Sequence, residues 1–186
     1  FLAGIAILGA AWLLLRANRA TLITIPSGAK SGDLLGLQTC TYKTKTATYQ
    51  ADCGTLVVPE NRQKTDARLI ALPVKRIKSA SSAPAEPIFY LGGGPGSSNM
   101  GFKPTEAILA EHDVVLVGYR GADGSSVLNC PEMNEAILGD GQDVTSSKSM
   151  EMIAGAMRAC AVRFEADGVD LAGYSIPEVV ADLESA

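Results

Sequence analysis

Apolar and polar positions alternate, cluster or run on along this chain, and each habit predicts a different element. Ala47–Val58 and Ala67–Ile77 alternate: Ala51, Cys53, Thr55 and Val57 share one face of the first, and Leu69, Ala71 and Pro73 one face of the second. Period-two alternation predicts half-buried strands, and Pro59-Glu60-Asn61-Arg62 with Thr65-Asp66 supplies the turn of a hairpin. Ile88–Leu91 and Asp113–Val117 are continuously apolar, the pattern of strands in the middle of a sheet. Helical spacing predicts a turn or two over Thr105–Glu111 and a short helix over Pro131–Leu138. An amphipathic helix over Ser149–Phe164 carries Met150, Ile153, Met157, Cys160 and Phe164 on its apolar side. Ser175 with Glu178 three residues on predicts a capping box, after which Val179, Val180 and Leu183 form an apolar face.

The other segments carry less pattern. Phe1–Leu15 is apolar throughout until Arg16 and Arg19 break it. That length fits a signal-peptide core and falls a little short of a full membrane span, so 1–19 is expected to be a signal or an uncleaved membrane anchor. A buried helix of the domain is the alternative, with no polar face to support it. Residues 20–38, rich in Thr, Ser, Gly and Lys, read as a linker, leaving 39–186 as the domain. Gly139-Asp140-Gly141-Gln142-Asp143 reads as a turn, without the oxygen spacing of a calcium loop.

Charge and cysteine count narrow the classes. With 186 residues, a net charge of -4 and 47% hydrophobic residues, the chain suits one globular domain and no nucleic-acid partner. His112 is the only histidine and no C-x-x-C occurs, so a metal site is not expected. Cys40, Cys53, Cys130 and Cys160, downstream of an export-like segment, suggest two disulfides. Cys40–Cys53 with Cys130–Cys160 is the most local of the three connectivities. Four reduced core cysteines in a cytosolic protein are the alternative.

The chemistry lies in two glycine-rich turns. Ile88–Leu91 runs into Gly92-Gly93-Gly94-Pro95-Gly96-Ser97-Ser98, and Asp113–Val117 into Gly118-Tyr119-Arg120-Gly121-Ala122-Asp123-Gly124-Ser125. Strands separated by a short helix and ending in glycine loops predict an α/β domain whose ligands sit beyond the strands' carboxyl ends. Glycines let peptide N–H groups approach an anion closely. Ser97 stands where the third glycine of a dinucleotide loop belongs, and no lysine follows Gly96 as a P-loop requires. What remains is a plain turn or an oxyanion hole, N–H donors aimed at charge developing in acyl transfer.

LGGGPGSS resembles the HGGPG loop of the proline iminopeptidase and tripeptidyl aminopeptidase branch of the α/β-hydrolases. DVVLVGYRGADGSS is similar to that branch's strand ending in D-x-R-G-x-G-x-S. Cys53–Pro59 resembles the leading strand of its exported members, and Tyr174 with Ala181-Asp182-Leu183 resembles the helix before their nucleophile strand. These pieces stand in the family's order across Cys40–Ala186; Gly92 replaces its histidine and Gly118 its aspartate.

The resemblance implies the amino-terminal part of an α/β-hydrolase fold, an antiparallel hairpin leading into a parallel sheet, truncated before the nucleophile strand. It implies an exported aminopeptidase acting on peptide amino termini, with no cofactor and with Gly93 and Gly94 as the oxyanion loop. Serine, aspartate and histidine are expected beyond Ala186, so that the fragment alone is inactive. The Arg120–Ser126 turn would brace the neighbouring loop. The nearest approach to G-x-S-x-G is Gly173-Tyr174-Ser175-Ile176-Pro177, where Pro177 replaces the last glycine. His112 precedes its strand, away from the loops. An esterase and a silent binding module with an anion nest are the competing readings.

Overall fold

The computed structural model describes residues 23–94, 96–138, 143 and 145–186, apart from the Glu135 and Leu138 side chains. Its elements are β1 (Leu34–Lys43), β2 (Thr48–Pro59), β3 (Leu69–Ile77), β4 (Ala85–Phe89), α1 (Glu106–Glu111), β5 (His112–Val117), α2 (Pro131–Leu138), α3 (Ser147–Ala166), a 3-10 turn Leu171–Gly173 and α4 (Ile176–Ser185). The five strands form one mixed sheet in the order β1-β2-β3-β5-β4. β1, β2 and β3 are an antiparallel meander, β3 pairs antiparallel with β5, and β4 runs parallel to β5. The domain is α/β.

β5 is an interior strand, between β3 and β4, and its apolar run Val114–Val117 follows from burial on both faces. Val115 and Val117 join Leu56, Val58, Ile70, Leu72 and Val74 on the face covered by Leu183 of α4. Val114 and Leu116 join Tyr42, Ala51, Ile77 and Leu109 on the face covered by α1 and by Tyr90, Met100 and Phe102. Thr105 caps α1 by accepting from the Ile108 N–H.

Three expectations are corrected. β4 is not in the middle of the sheet: it forms the edge opposite β1, and Ile88 and Phe89 are 37% and 42% exposed. A continuous apolar run reports that a strand belongs in a sheet's interior, not which neighbours are present. The stretch read as a linker holds the start of β1 from Leu34, a strand with few inward apolar side chains that is held by its register on β2. The capping box does not form. Ser175 takes the extended N-cap geometry of α4 without a side-chain bond to a helical N–H, because Glu178 turns away to Arg62.

Both disulfides are present in the expected pairing, Cys40–Cys53 between β1 and β2 and Cys130–Cys160 between the α2 and α3 segments. They are consistent with an extracellular or periplasmic location. The apolar run Phe1–Leu15 and the turn at 139–142 lie outside the described residues. Among the described residues no helix is long and apolar enough to cross a membrane.

Candidate functional site

The two glycine turns meet at the carboxyl ends of β4 and β5, and one side chain joins them. Asn99 is fully buried. Its Nδ2 donates to the Tyr90 carbonyl at 3.0 Å and to the Val117 carbonyl at 2.8 Å, tying the ends of the two strands together. Its Oδ1 accepts from the Gly92 N–H at 2.7 Å. The second turn contributes Asp123, whose Oδ2 accepts from the backbone N–H of both Asn99 (3.1 Å) and Tyr119 (2.9 Å). The Tyr119 hydroxyl donates to the Gly92 carbonyl at 3.1 Å. Burial, then the neighbouring Tyr90, pushes that phenol above its ordinary value, so it stays a donor at neutral pH.

Gly92 is therefore committed on both sides, while Gly93 and Gly94 are not. Among the described residues neither of their N–H groups has an acceptor, and both glycines are exposed. Gly94 sits at φ +105°, where a Cβ would meet the Ser97 hydroxyl at 2.9 Å. The conformation that presents this backbone thus requires glycine. Gly94, Gly96 and Ser97 form one wall of an open cleft of about 370 Å³. Tyr119 and Ala122 line its floor, and Tyr174, Ser175, Ile176 and Val179 line the facing wall.

Arg120 anchors that facing wall. It is 6% exposed and all five of its N–H donors are used. Nε and Nη2 grip the Asp182 carboxylate as a fork at 2.7 and 2.6 Å. Nη1 donates to the carbonyls of Glu60 and Gly173, both at 2.6 Å, and Nη2 to that of Pro59 at 3.2 Å. Arg62 adds bonds to Glu178 at 2.7 Å and Asp182 at 2.8 Å. The end of β2, the 3-10 turn and α4 are thereby joined through buried charges. Beside them Glu60 accepts from Arg68, from the Tyr174 hydroxyl and from the Asp170 N–H. Burial pushes the Glu60 carboxyl up, but these donors outweigh it and hold the group below its ordinary value.

The second turn braces the first through Asp123, as its position suggested, while its arginine reaches the other way, to β2 and α4. Gly118, where the resembled motif has aspartate, admits no side chain: a Cβ would lie 2.7 Å from the Pro73 ring and 2.8 Å from the Asp123 Cβ. His112 opens β5 at the far end of the sheet, with Nδ1 2.7 Å from the Glu86 carbonyl. Ser175 lines the cleft with its hydroxyl lacking a hydrogen-bond partner among the described residues, and no histidine accompanies it. Asn99 carried no motif signal, and Tyr119, Glu60 and Asp182 fell within quoted stretches without being given a role. The one grouping of three potential metal ligands among the described residues is Cys130, Glu132 and Cys160. Both of its sulfurs are in the disulfide, and Glu132 is paired with Arg163 at 3.0 Å, so it offers no thiolate.

No family model matches the chain, and no curated protein matches it.

Proposed function

We propose that the Gly92–Gly96 loop is the oxyanion-stabilising half of a serine hydrolase active site, and that the chain is the amino-terminal portion of an exported aminopeptidase. One observation carries this reading. Two adjacent N–H groups, those of Gly93 and Gly94, have no acceptor among the described residues, at the carboxyl end of a strand and next to Gly92, which Asn99 and Tyr119 hold in place. Preorganised donors of this kind stabilise a tetrahedral oxyanion without rearranging during the reaction.

In this mechanism a serine Oγ attacks the amide carbonyl while a histidine takes its proton. The carbonyl oxygen becomes an oxyanion held by the Gly93 or Gly94 N–H and by the N–H after the serine. The histidine then returns the proton to the leaving amine. The serine must stand next to this loop. β5 occupies one side of β4, so the place for a strand bearing the serine is the outer edge of β4, where Ile88 and Phe89 are half exposed. The reading places serine, aspartate and histidine beyond Ala186 and gives Ser175 no part in the chemistry.

The test is labelling of the intact protein with a fluorophosphonate probe, alongside assays on aminoacyl arylamides and short esters. The expected result is one labelled serine in G-x-S-x-G outside Phe1–Ala186, arylamide turnover, and neither label nor turnover for Phe1–Ala186 alone. Ester turnover without arylamide turnover would replace the peptidase by an esterase. An unlabelled, inactive intact protein, or a label on Ser175, would end the proposal.

A further inference from the structure

On the α1 face of the sheet, the turn joining β1 to β2 and the loop leading into α1 enclose a second pocket of about 380 Å³, which shares no lining residue with the cleft at the glycine loops. Its rim carries Lys43, Lys45 and Lys103, all exposed, and its walls include Tyr42 and Phe102. A fourth ammonium, Lys75 Nζ, lies 5.4 Å from the centre of the Tyr42 ring.

Most cations elsewhere among the described residues are paired with a carboxylate. Arg62, Arg68 and Arg120 are matched by Glu178, Glu60 and Asp182, and Lys64 by Asp170. Arg76 on β3 and Lys78 just after it are matched by Asp113 at 3.0 Å and Asp52 at 2.9 Å. Lys43, Lys45, Lys75 and Lys103 have no carboxylate in reach among the described residues. In a chain of net charge -4, three lysines lining one pocket, with Lys75 against the Tyr42 ring, raise the local potential for an anion.

The walls are also fixed. Tyr42 is 4% exposed, and its hydroxyl lies within hydrogen-bond distance of the Phe102 carbonyl (2.6 Å) and the Met100 carbonyl (3.1 Å), which staples the Lys103 loop against β1. Two residues before Tyr42, the Cys40–Cys53 disulfide fastens β1 to β2. On the other side, the Thr44 hydroxyl accepts from the Ala47 N–H at 3.0 Å and closes the turn that carries Lys45. The lysines therefore project from a rigid frame, and a bound anion would not have to order the backbone that presents them.

We propose that this pocket is a binding site for a soluble organic phosphate, separate from the acyl-transfer cleft and independent of its assignment. A dianionic phosphate matches several ammonium groups where a single carboxylate would leave them in excess, and lysine serves phosphate as a point charge. Tyr42 and Phe102 give the organic body of the ligand an apolar surface, and the pocket leaves room for it.

The test is calorimetric titration of the full chain with phenyl phosphate, benzoate and phenol, with vesicles of phosphatidylcholine containing phosphatidic acid as a separate arm. Phenyl phosphate is expected to bind saturably and more weakly as salt is raised, with benzoate at least about tenfold weaker and phenol silent. K43Q/K45Q/K103Q should weaken phenyl phosphate at least about tenfold without moving the melting temperature, because none of these lysines holds a protein partner. The single variant K103Q should weaken it several-fold and serves if the triple variant does not fold. Absence of saturable binding, equal binding of benzoate, binding unchanged in both variants, or binding to vesicles alone would each overturn the proposal.

Discussion

Asn99 belongs to no motif, yet its amide makes three bonds in a fully buried site. Replacing it with alanine leaves the Gly92 N–H and the Tyr90 and Val117 carbonyls without their partner. A buried group deprived of its hydrogen bond costs about 1–3 kcal/mol, and partial rehydration near the loop will recover some of that. Asn99→Ala is therefore expected to lower unfolding stability by about 3 kcal/mol in urea titration; a loss below about 0.5 kcal/mol, within the range of ordinary surface substitutions, would mean that the amide is not the clamp described. Arg120 shows the same separation of identity from role. Its place in the Arg120-Gly121-Ala122-Asp123-Gly124 turn was visible in the sequence, but its partner Asp182 lies 62 positions away, and the bond depends on how α4 lands on β2.

At the scale of elements, the sequence was most legible where burial is symmetrical or strictly alternating. β5, β2 and β3 fall where their apolar patterns put them, and α2 matches its expected span. β1 escaped because Tyr42 is its only buried side chain, so that pairing and a disulfide, not an apolar face, make it a strand. The apolar run Ile88–Leu91 reads as an interior strand, but the strand that forms is Ala85–Phe89, exposed at the edge of the sheet, a shift that composition alone could not reveal. The Ser175–Glu178 pair failed as a capping box for a different reason. A local hydrogen bond competed with Arg62, and the buried, charge-assisted pair won. In the candidate site the glycines were legible because their backbone geometry demands them. The polar residues that hold the loop were not, because each acts through a partner distant in sequence.

Across the whole molecule, the buried carboxylate network sets how the fold responds to pH. Burial pushes Glu60 up, but Arg68, Tyr174 and the Asp170 N–H together hold it below its ordinary value of 4.5, and Lys64 with Asn61 lowers Asp170. A carboxyl depressed in the folded state binds fewer protons there than in the unfolded chain. Its contribution is fully present above the ordinary carboxylate value and is lost as pH falls through the folded one. The urea midpoint should accordingly hold steady from pH 7 to about 5 and fall steeply below about 4. In Glu60→Gln the acid slope should be shallower; an unchanged slope would place the acid sensitivity elsewhere.

The central claim is that the Gly93 and Gly94 N–H groups stabilise an oxyanion. Gly93→Pro tests it most directly: it deletes one of the two donors at a position where an added Cβ meets nothing within 4 Å. The deciding measurement is kcat and KM of the intact protein on an aminoacyl arylamide, for the wild type and for Gly93→Pro, with equal melting temperatures as the control for folding. The account predicts a fall in kcat of about 10²–10³-fold with KM nearly unchanged, the size of one oxyanion donor. A kcat within about twofold of wild type, or a loss confined to KM, would contradict it.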